Sequence, residues 1–209
     1  MDWLVYGGMI ALAYLIGSIS TGYVMGRLAK GIDIRQYGSG RTGGTNALRT
    51  LGPAGAVITG VGDVGKGAAV VLLAKGFGLP PLVVALMALA AVIGHNHSIF
   101  LSFHGGAGVA PTVGALLVMG FWMGLGLVAV AVALVGITKY ASVGSLALVN
   151  LTPLLMLALG YTGALPLAYL VFGVTIAALI TWAHRPNIAR LRAGSERKLG
   201  EGGIKITAN

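Results

Sequence analysis

The run VAPTVGALLVMGFWMGLGLVAVAVALVGI, residues 109–137, holds no Asp, Glu, Lys or Arg. A helix rises about 1.5 Å per residue and a bilayer's hydrocarbon core is about 30 Å thick, so roughly 20 apolar residues cross it. This run is longer than one span needs. A glycine-rich break near Gly120 divides it into a short helix and a second, full one. Working outward, residues 140–159 and 164–182 read as spans on one side, and residues 79–94, 54–73 and 3–25 on the other. The expected fold is an all-α integral membrane protein of seven transmembrane helices with re-entrant or short-helix elements. The short member is expected to be sheltered by its neighbours, because backbone at membrane depth must find its hydrogen bonds within protein.

Composition agrees. Hydrophobic residues make up 56% of the chain and charged residues 9%, with mean hydropathy +0.90, whereas a soluble domain carries about 25% charged residues. No polar block of domain size separates the spans, so residues 1–209 read as a single polytopic domain. Its cytoplasmic loops are expected at about 27–52 and 95–108, and its cytoplasmic tail at about 183–209. The N-terminus carries Asp2 and no base before Arg27, and its apolar run is too long for a signal-peptide core, so the first span is expected to be retained. Cysteine is absent, which excludes disulfides, thiol catalysis and Cys-ligated metals.

The basic residues set the orientation. Arg27, Lys30, Arg35, Arg41 and Arg49 fall in the first loop, and Arg185, Arg190, Arg192, Arg197, Lys198 and Lys205 in the tail. Seven spans put both groups on one side together with Lys139 and leave Lys75 opposite. Short loops rich in Lys and Arg face the cytoplasm, which gives an extracytoplasmic N-terminus and a cytoplasmic C-terminus. The net charge of +9 is thus mostly cytoplasmic and suits anionic lipid headgroups. No long basic run interleaved with aromatics accompanies it, so a nucleic-acid partner is not expected.

Three polar segments interrupt the apolar pattern, and all face the cytoplasm on this topology. The first runs from Gly38 to Arg49. Its glycines let backbone approach a ligand, Ser39, Thr45, Asn46 and nearby N–H groups can donate to anionic oxygens, and Arg49 supplies a fork of charge. A helix beginning here would add its N-terminus. The formal G-x-G-x-x-G in this segment, and the G-x-x-x-x-G-K from Gly60 to Lys66, lack the strand context of nucleotide sites, and Gly67 stands where the second motif needs Ser or Thr. Asp63 and Lys66 instead share a helical face as a buried ion pair. The second segment runs from Gly94 to Thr112. His95, His97 and His104 raise a metal reading, but no ligand set completes it, so no metal is expected. Gly105, Gly106 and Gly108 suggest a tight turn at a helix mouth, offering N–H groups to phosphate or an oxyanion. The third segment, from Trp182 to Glu196, doubles as a basic stop signal, which does not account for His184, Asn187 and Glu196.

Together these segments resemble the bacterial acyl-phosphate:glycerol-3-phosphate acyltransferase family, PlsY. The resemblance is carried by Gly38, Ser39, Gly40, Gly43, Thr45, Asn46 and Arg49; by Gly94, His95, Phe100, Leu101, Phe103, Gly105, Gly106, Gly108, Val109 and Ala110; by His184, Arg185, Asn187, Ile188, Arg190, Leu191, Gly194 and Glu196; and by Asp63, Lys66 and Gly67. It implies seven spans, a cytoplasmic active site and a place in the bacterial inner membrane. It also implies transfer of a fatty acyl group from acyl phosphate to the 1-hydroxyl of glycerol 3-phosphate, giving lysophosphatidic acid and phosphate for phospholipid synthesis. Acyl phosphate is already activated, so positioning and charge stabilisation carry most of the chemistry. The implied partners are acyl phosphate, glycerol 3-phosphate and membrane lipid, with no cofactor and no obligate protein partner.

By the same resemblance, Ser39, His184 and Asn187 form the catalytic set. It also implies that Ser39, Thr45, Asn46 and Arg49 bind phosphate, with Glu196 at the substrate site and orienting it; the turn at Gly105, Gly106 and Gly108 is expected to add backbone N–H groups, and Arg41 and His104 are expected to add replacement cations. Either the acceptor's own phosphate or His184 serves as base. The chain departs from the family pattern at Arg41, usually Asn; at Gly44, usually Ala; at His104 and Ala107, both usually Lys; and at Pro111, usually Thr. The Ala107 change removes a cation that Arg41 or a protonated His104 would have to restore. Two other readings are an impaired member that binds without turnover, and a transporter of anionic metabolites, which would call for an internal repeat that the sequence does not display.

Overall fold

The computed structural model describes residues 2–201, and among these the regular structure is helical. Nine α-helices follow in order: α1 (Asp2–Ser18), α2 (Thr21–Lys30), α3 (Gly44–Gly76), α4 (Pro81–Asn96), α5 (Val109–Met119), α6 (Phe121–Thr138), α7 (Ala141–Tyr161), α8 (Leu170–Ala183) and α9 (Arg185–Arg192). Lys205, assigned to the basic tail, lies outside the described residues.

Five stretches are long and apolar enough to cross a membrane: Trp3–Lys30, Gly44–Gly76, Pro81–Leu101, Phe121–Thr138 and Ala141–Tyr161. The α8–α9 pair, bent by 58°, makes a sixth if taken as one span. The break at Gly120 is present, but the helix before it has only 11 residues. At about 16 Å it is too short to cross, so the expected count of seven is not reached by length. Most of its first two turns and its last residue are buried, including Pro111, Thr112, Gly114 and Ala115.

Helix α4 is the hub. It packs against α1, α3, α5 and α8, and 67% of its apolar window is buried, against 17% for α6. The apolar faces left uncovered on the outer helices suit contact with lipid. Close approach depends on small residues at the contacts. A Cβ on Gly17 of α1 would come within 2.1 Å of the Ala91 carbonyl oxygen on α4, and one on Gly67 of α3 within 2.0 Å of the Pro111 carbonyl oxygen on α5.

Two expected spans differ in outline. The first, read as one helix over residues 3–25, is broken between Ser18 and Thr21. The freed carbonyls are satisfied from the side: Lys66 Nζ donates to Ile19 O at 2.7 Å, and Ser98 Oγ donates to Ser18 O at 2.6 Å. Thr21 Oγ1 donates to Asp63 Oδ1 at 3.1 Å. Asp63 and Lys66 form the expected buried ion pair, at 2.9 Å, and the pair also stitches this break together. The second difference is in α3, which begins at Gly44 rather than near residue 54 and kinks at Gly52, where φ is 81°, just before Pro53. The first loop is therefore shorter than expected, and Arg49 rides on a helix.

Candidate active site

The polar segments meet around one cavity of about 470 Å³. The first wall is the loop from Gly38 to Gly43. Gly38 and Gly40 have φ of 59° and 72°, which glycine adopts without strain. Asn46 fixes the loop from inside: its Oδ1 accepts from the Ser39 N–H at 3.0 Å, and its Nδ2 faces the carbonyls of Ile34, Tyr37 and Arg41 at 2.7–3.1 Å. The amide expected to hold phosphate is thus committed to backbone, and it shapes the loop instead. Ser39 and Thr45 border the cavity and are exposed there. Helix α3 starts beyond Gly43 with no side-chain cap, which leaves its first N–H groups for a ligand. Arg49 lies one turn on from Thr45, and its buried Nε has no hydrogen-bond partner among the described residues.

The second wall is the turn from Gly105 to Gly108, leading into α5. The Gly106 N–H donates to His95 O at 2.9 Å. A Cβ on Gly105 would fall 2.0 Å from that same oxygen, and one on Gly106 would fall 2.0 Å from His95 Nε2. These two glycines are required by packing. They border a neighbouring cavity of about 280 Å³, as does His104, whose Nδ1 faces Ser102 O at 2.6 Å. His104, Gly105 and Gly106 therefore do not line the main cavity as expected. Ala107, Gly108, Val109 and Ala110 do line it, and α5 also starts without a side-chain cap. Arg41 borders both cavities and bonds to the Ala183 carbonyl.

The third wall comes from α8, α9 and the tail. His184, 5% exposed, donates from Nδ1 to Ile180 O at 2.8 Å. A carbonyl oxygen only accepts, so in the neutral ring Nε2 keeps its lone pair. Glu196 Oε1 accepts from Asn187 at 2.7 Å and from Ser142 at 2.9 Å, while Oε2 accepts from Arg190 at 2.7 Å. Both Glu196 oxygens thus accept from protein donors. Burial would raise the Glu196 carboxyl, but the hydrogen bonds from Asn187, Arg190 and Ser142 overcome this and hold it below the usual range. The stability it contributes is therefore present above the ordinary carboxylate value and is lost only as pH falls through the lowered one. Glu196→Gln removes the charge pair and one acceptor oxygen. The expected result is a loss of roughly 2–3 kcal/mol, read as a drop in unfolding temperature in detergent.

Residues outside the expected binding set also reach the cavity: Arg190 and Arg197 both line it, and Arg197 donates to Gly38 O at 2.8 Å. Ser142 and Ser145 also line it from α7. Their i, i+3 spacing, which places two hydroxyls on one helical face, was the available clue. The lining thus holds Arg41, Arg49, Arg190 and Arg197 against the single carboxylate Glu196. Such a surplus calls for a multiply anionic ligand.

The family model for glycerol-3-phosphate acyltransferase matches residues 7–194. The chain belongs to that family. Among its relatives, glycerol-3-phosphate acyltransferase 2 of Moorella thermoacetica is 47% identical, with 92% of this chain and 96% of that protein covered. The glycerol-3-phosphate acyltransferase of Synechococcus sp. (strain CC9902) is 42% identical over 93% and 96%. The fold matches crystal structures of PlsY (YgiH), an integral membrane glycerol 3-phosphate acyltransferase. The glycerol 3-phosphate form superposes with a TM-score of 0.86 at 34% identity, covering 94% of this chain and 96% of that one. The lysophosphatidic acid form gives 0.82 at 33% identity, covering 93% and 95%. Family membership, an all-helical membrane fold and a cationic cavity therefore agree.

Proposed function

We propose that this chain transfers a fatty acyl group from acyl phosphate to the 1-hydroxyl of glycerol 3-phosphate, yielding lysophosphatidic acid and phosphate. The observation that carries the reading is the convergence of two uncapped helix N-termini, those of α3 and α5, on one arginine-rich cavity. A helix N-terminus favours phosphate, and this reaction brings two phosphates together. Val64 and Val113 give the same cavity an apolar flank suited to the first carbons of an acyl chain.

The chemistry balances without a cofactor. The acceptor hydroxyl oxygen attacks the acyl carbonyl carbon, a C–O bond forms, and the carbonyl π pair moves onto oxygen. When that pair returns, the C–O bond to phosphate breaks and phosphate leaves with the bonding electrons. The hydroxyl proton passes to His184 Nε2 or to a phosphate oxygen of the acceptor. Arg49, Thr45 and the start of α3 hold one phosphate, Gly108 and the start of α5 face the other, and Ser39 and Asn187 position the reacting groups.

The proposed setting is a bacterial inner membrane, with both polar loops and the tail on the cytoplasmic side and the N-terminus outside. In that arrangement α5 counts as the seventh, re-entrant element. Arg41 takes the part of the cation missing at Ala107, since it borders the main cavity, whereas His104 faces the neighbouring one. Arg41→Ala is expected to lower kcat/KM about tenfold or more, while Ala107→Lys leaves activity nearly flat. An unchanged Arg41→Ala enzyme would sink this assignment.

The test of the main reading is phosphate release and lysophosphatidic acid formation by purified protein given palmitoyl phosphate and glycerol 3-phosphate. Acceptor-dependent turnover supports it. Binding of both compounds without product would instead indicate a non-catalytic member.

A further inference from the structure

Lys66 uses all three of its ammonium protons inside the helix bundle: on Asp63 Oδ1 at 2.9 Å, on Ile19 O at 2.7 Å and on His95 Nδ1 at 2.9 Å. An ammonium has three donors and no acceptor, so His95 Nδ1 must present its lone pair, and the neutral ring carries its proton on Nε2. His95 is 3% exposed and lines the main cavity together with Gly108 and Val109. Nε2 lies over Gly106, and among the described residues no protein acceptor is hydrogen-bonded to it. An N–H donor on a cavity-lining residue with no protein acceptor is available to a ligand.

The two imidazoles of the cavity are therefore held in opposite tautomers. His184 keeps a lone pair at Nε2 and can take a proton, whereas His95 keeps a proton there and can only donate. We infer that His95 Nε2–H receives the acyl carbonyl oxygen and holds the negative charge that develops on it. This rests on the acyl-phosphate reading above. A carbonyl suits this donor better than a phosphate does, because the imidazole N–H is uncharged and His95 shares the cavity with apolar Val64 and Val113, whereas the guanidinium groups come from the first loop, the first turns of α3 and the tail. In the addition step the π pair moves onto this oxygen, and it returns as the bond to phosphate breaks. His95 neither gains nor loses a proton, and Lys66, fixed by Asp63, is a positioning residue that sets its tautomer.

The experiment compares His95→Asn with His95→Gln in the full-length protein. Asn offers Lys66 an acceptor near the Nδ1 position but has no donor at Nε2, whereas the Gln amide nitrogen reaches the Nε2 position. Loss of one oxyanion donor costs about 10²-fold or more in kcat. His95→Asn should show that loss with little change in the KM for glycerol 3-phosphate or in unfolding temperature, and His95→Gln should restore most of the rate. A His95→Asn enzyme with wild-type kcat would overturn the inference. So would equal losses in both variants accompanied by a fall in unfolding temperature, or a raised acceptor KM at unchanged kcat. Wild-type protein inactive with acyl phosphate but active with another acyl donor would point to failure of the donor assignment, whereas an active wild type with an unaffected His95→Asn variant would remove only the role of His95.

Discussion

Arg49→Ala is expected to lower kcat/KM for glycerol 3-phosphate by about 10³-fold while leaving the fold intact. Arg49 stands one turn into α3, and among the described residues its buried Nε has no hydrogen-bond partner and no side chain caps the helix start below it. A guanidinium beside free backbone N–H groups is a fork-shaped phosphate site, and charge-assisted bonds in a water-poor cavity are stronger than their surface counterparts. Removing Arg49 also deletes a cation from a lining that has only one carboxylate, so binding and transition-state stabilisation fall together. Arg49→Lys should recover part of the loss, because the charge returns without the fork. The check is acceptor-dependent phosphate release together with calorimetric binding of glycerol 3-phosphate. A loss below tenfold would move the phosphate toward Arg197, which also lines the cavity and donates to Gly38 O in the first loop.

His184→Ala is expected to lower kcat by about 10²–10⁴-fold, the usual range for a general base. Burial holds the His184 imidazole below its ordinary value, the bond to Ile180 O opposes this, and the charge of Arg41 adds to the lowering. The base must be neutral to act, so wild-type kcat should stay level as pH falls past the ordinary histidine value of about 6.5. It should decline only at lower pH, as the depressed group protonates. In His184→Ala that acid limb should vanish along with most of the rate. If the limb persists in the variant, the proton goes to the acceptor's own phosphate instead, and His184 serves to hold substrate.

Legibility followed the range of the interactions. The break at Gly120 was readable because helix length and glycine act locally, and the Asp63–Lys66 pair because two charges three residues apart in an apolar run must face each other. The break between α1 and α2 was not readable. It is stable only because Lys66, Ser98 and Asp63 arrive from distant segments to satisfy the opened backbone.

Residue types and motif spacing fixed the helical membrane class, the three polar segments and the family resemblance, because apolar run length and glycine-rich turns are properties of neighbouring residues. Tertiary structure decided which of those polar residues face a ligand. It turned Asn46 and Glu196 toward protein hydrogen-bond partners, set His104, Gly105 and Gly106 along a neighbouring cavity, and brought Arg190, Arg197, Ser142 and His95 to the main one. The direction of a polar side chain depends on partners remote in sequence, as when Arg197 meets Gly38 or Lys66 meets His95 Nδ1.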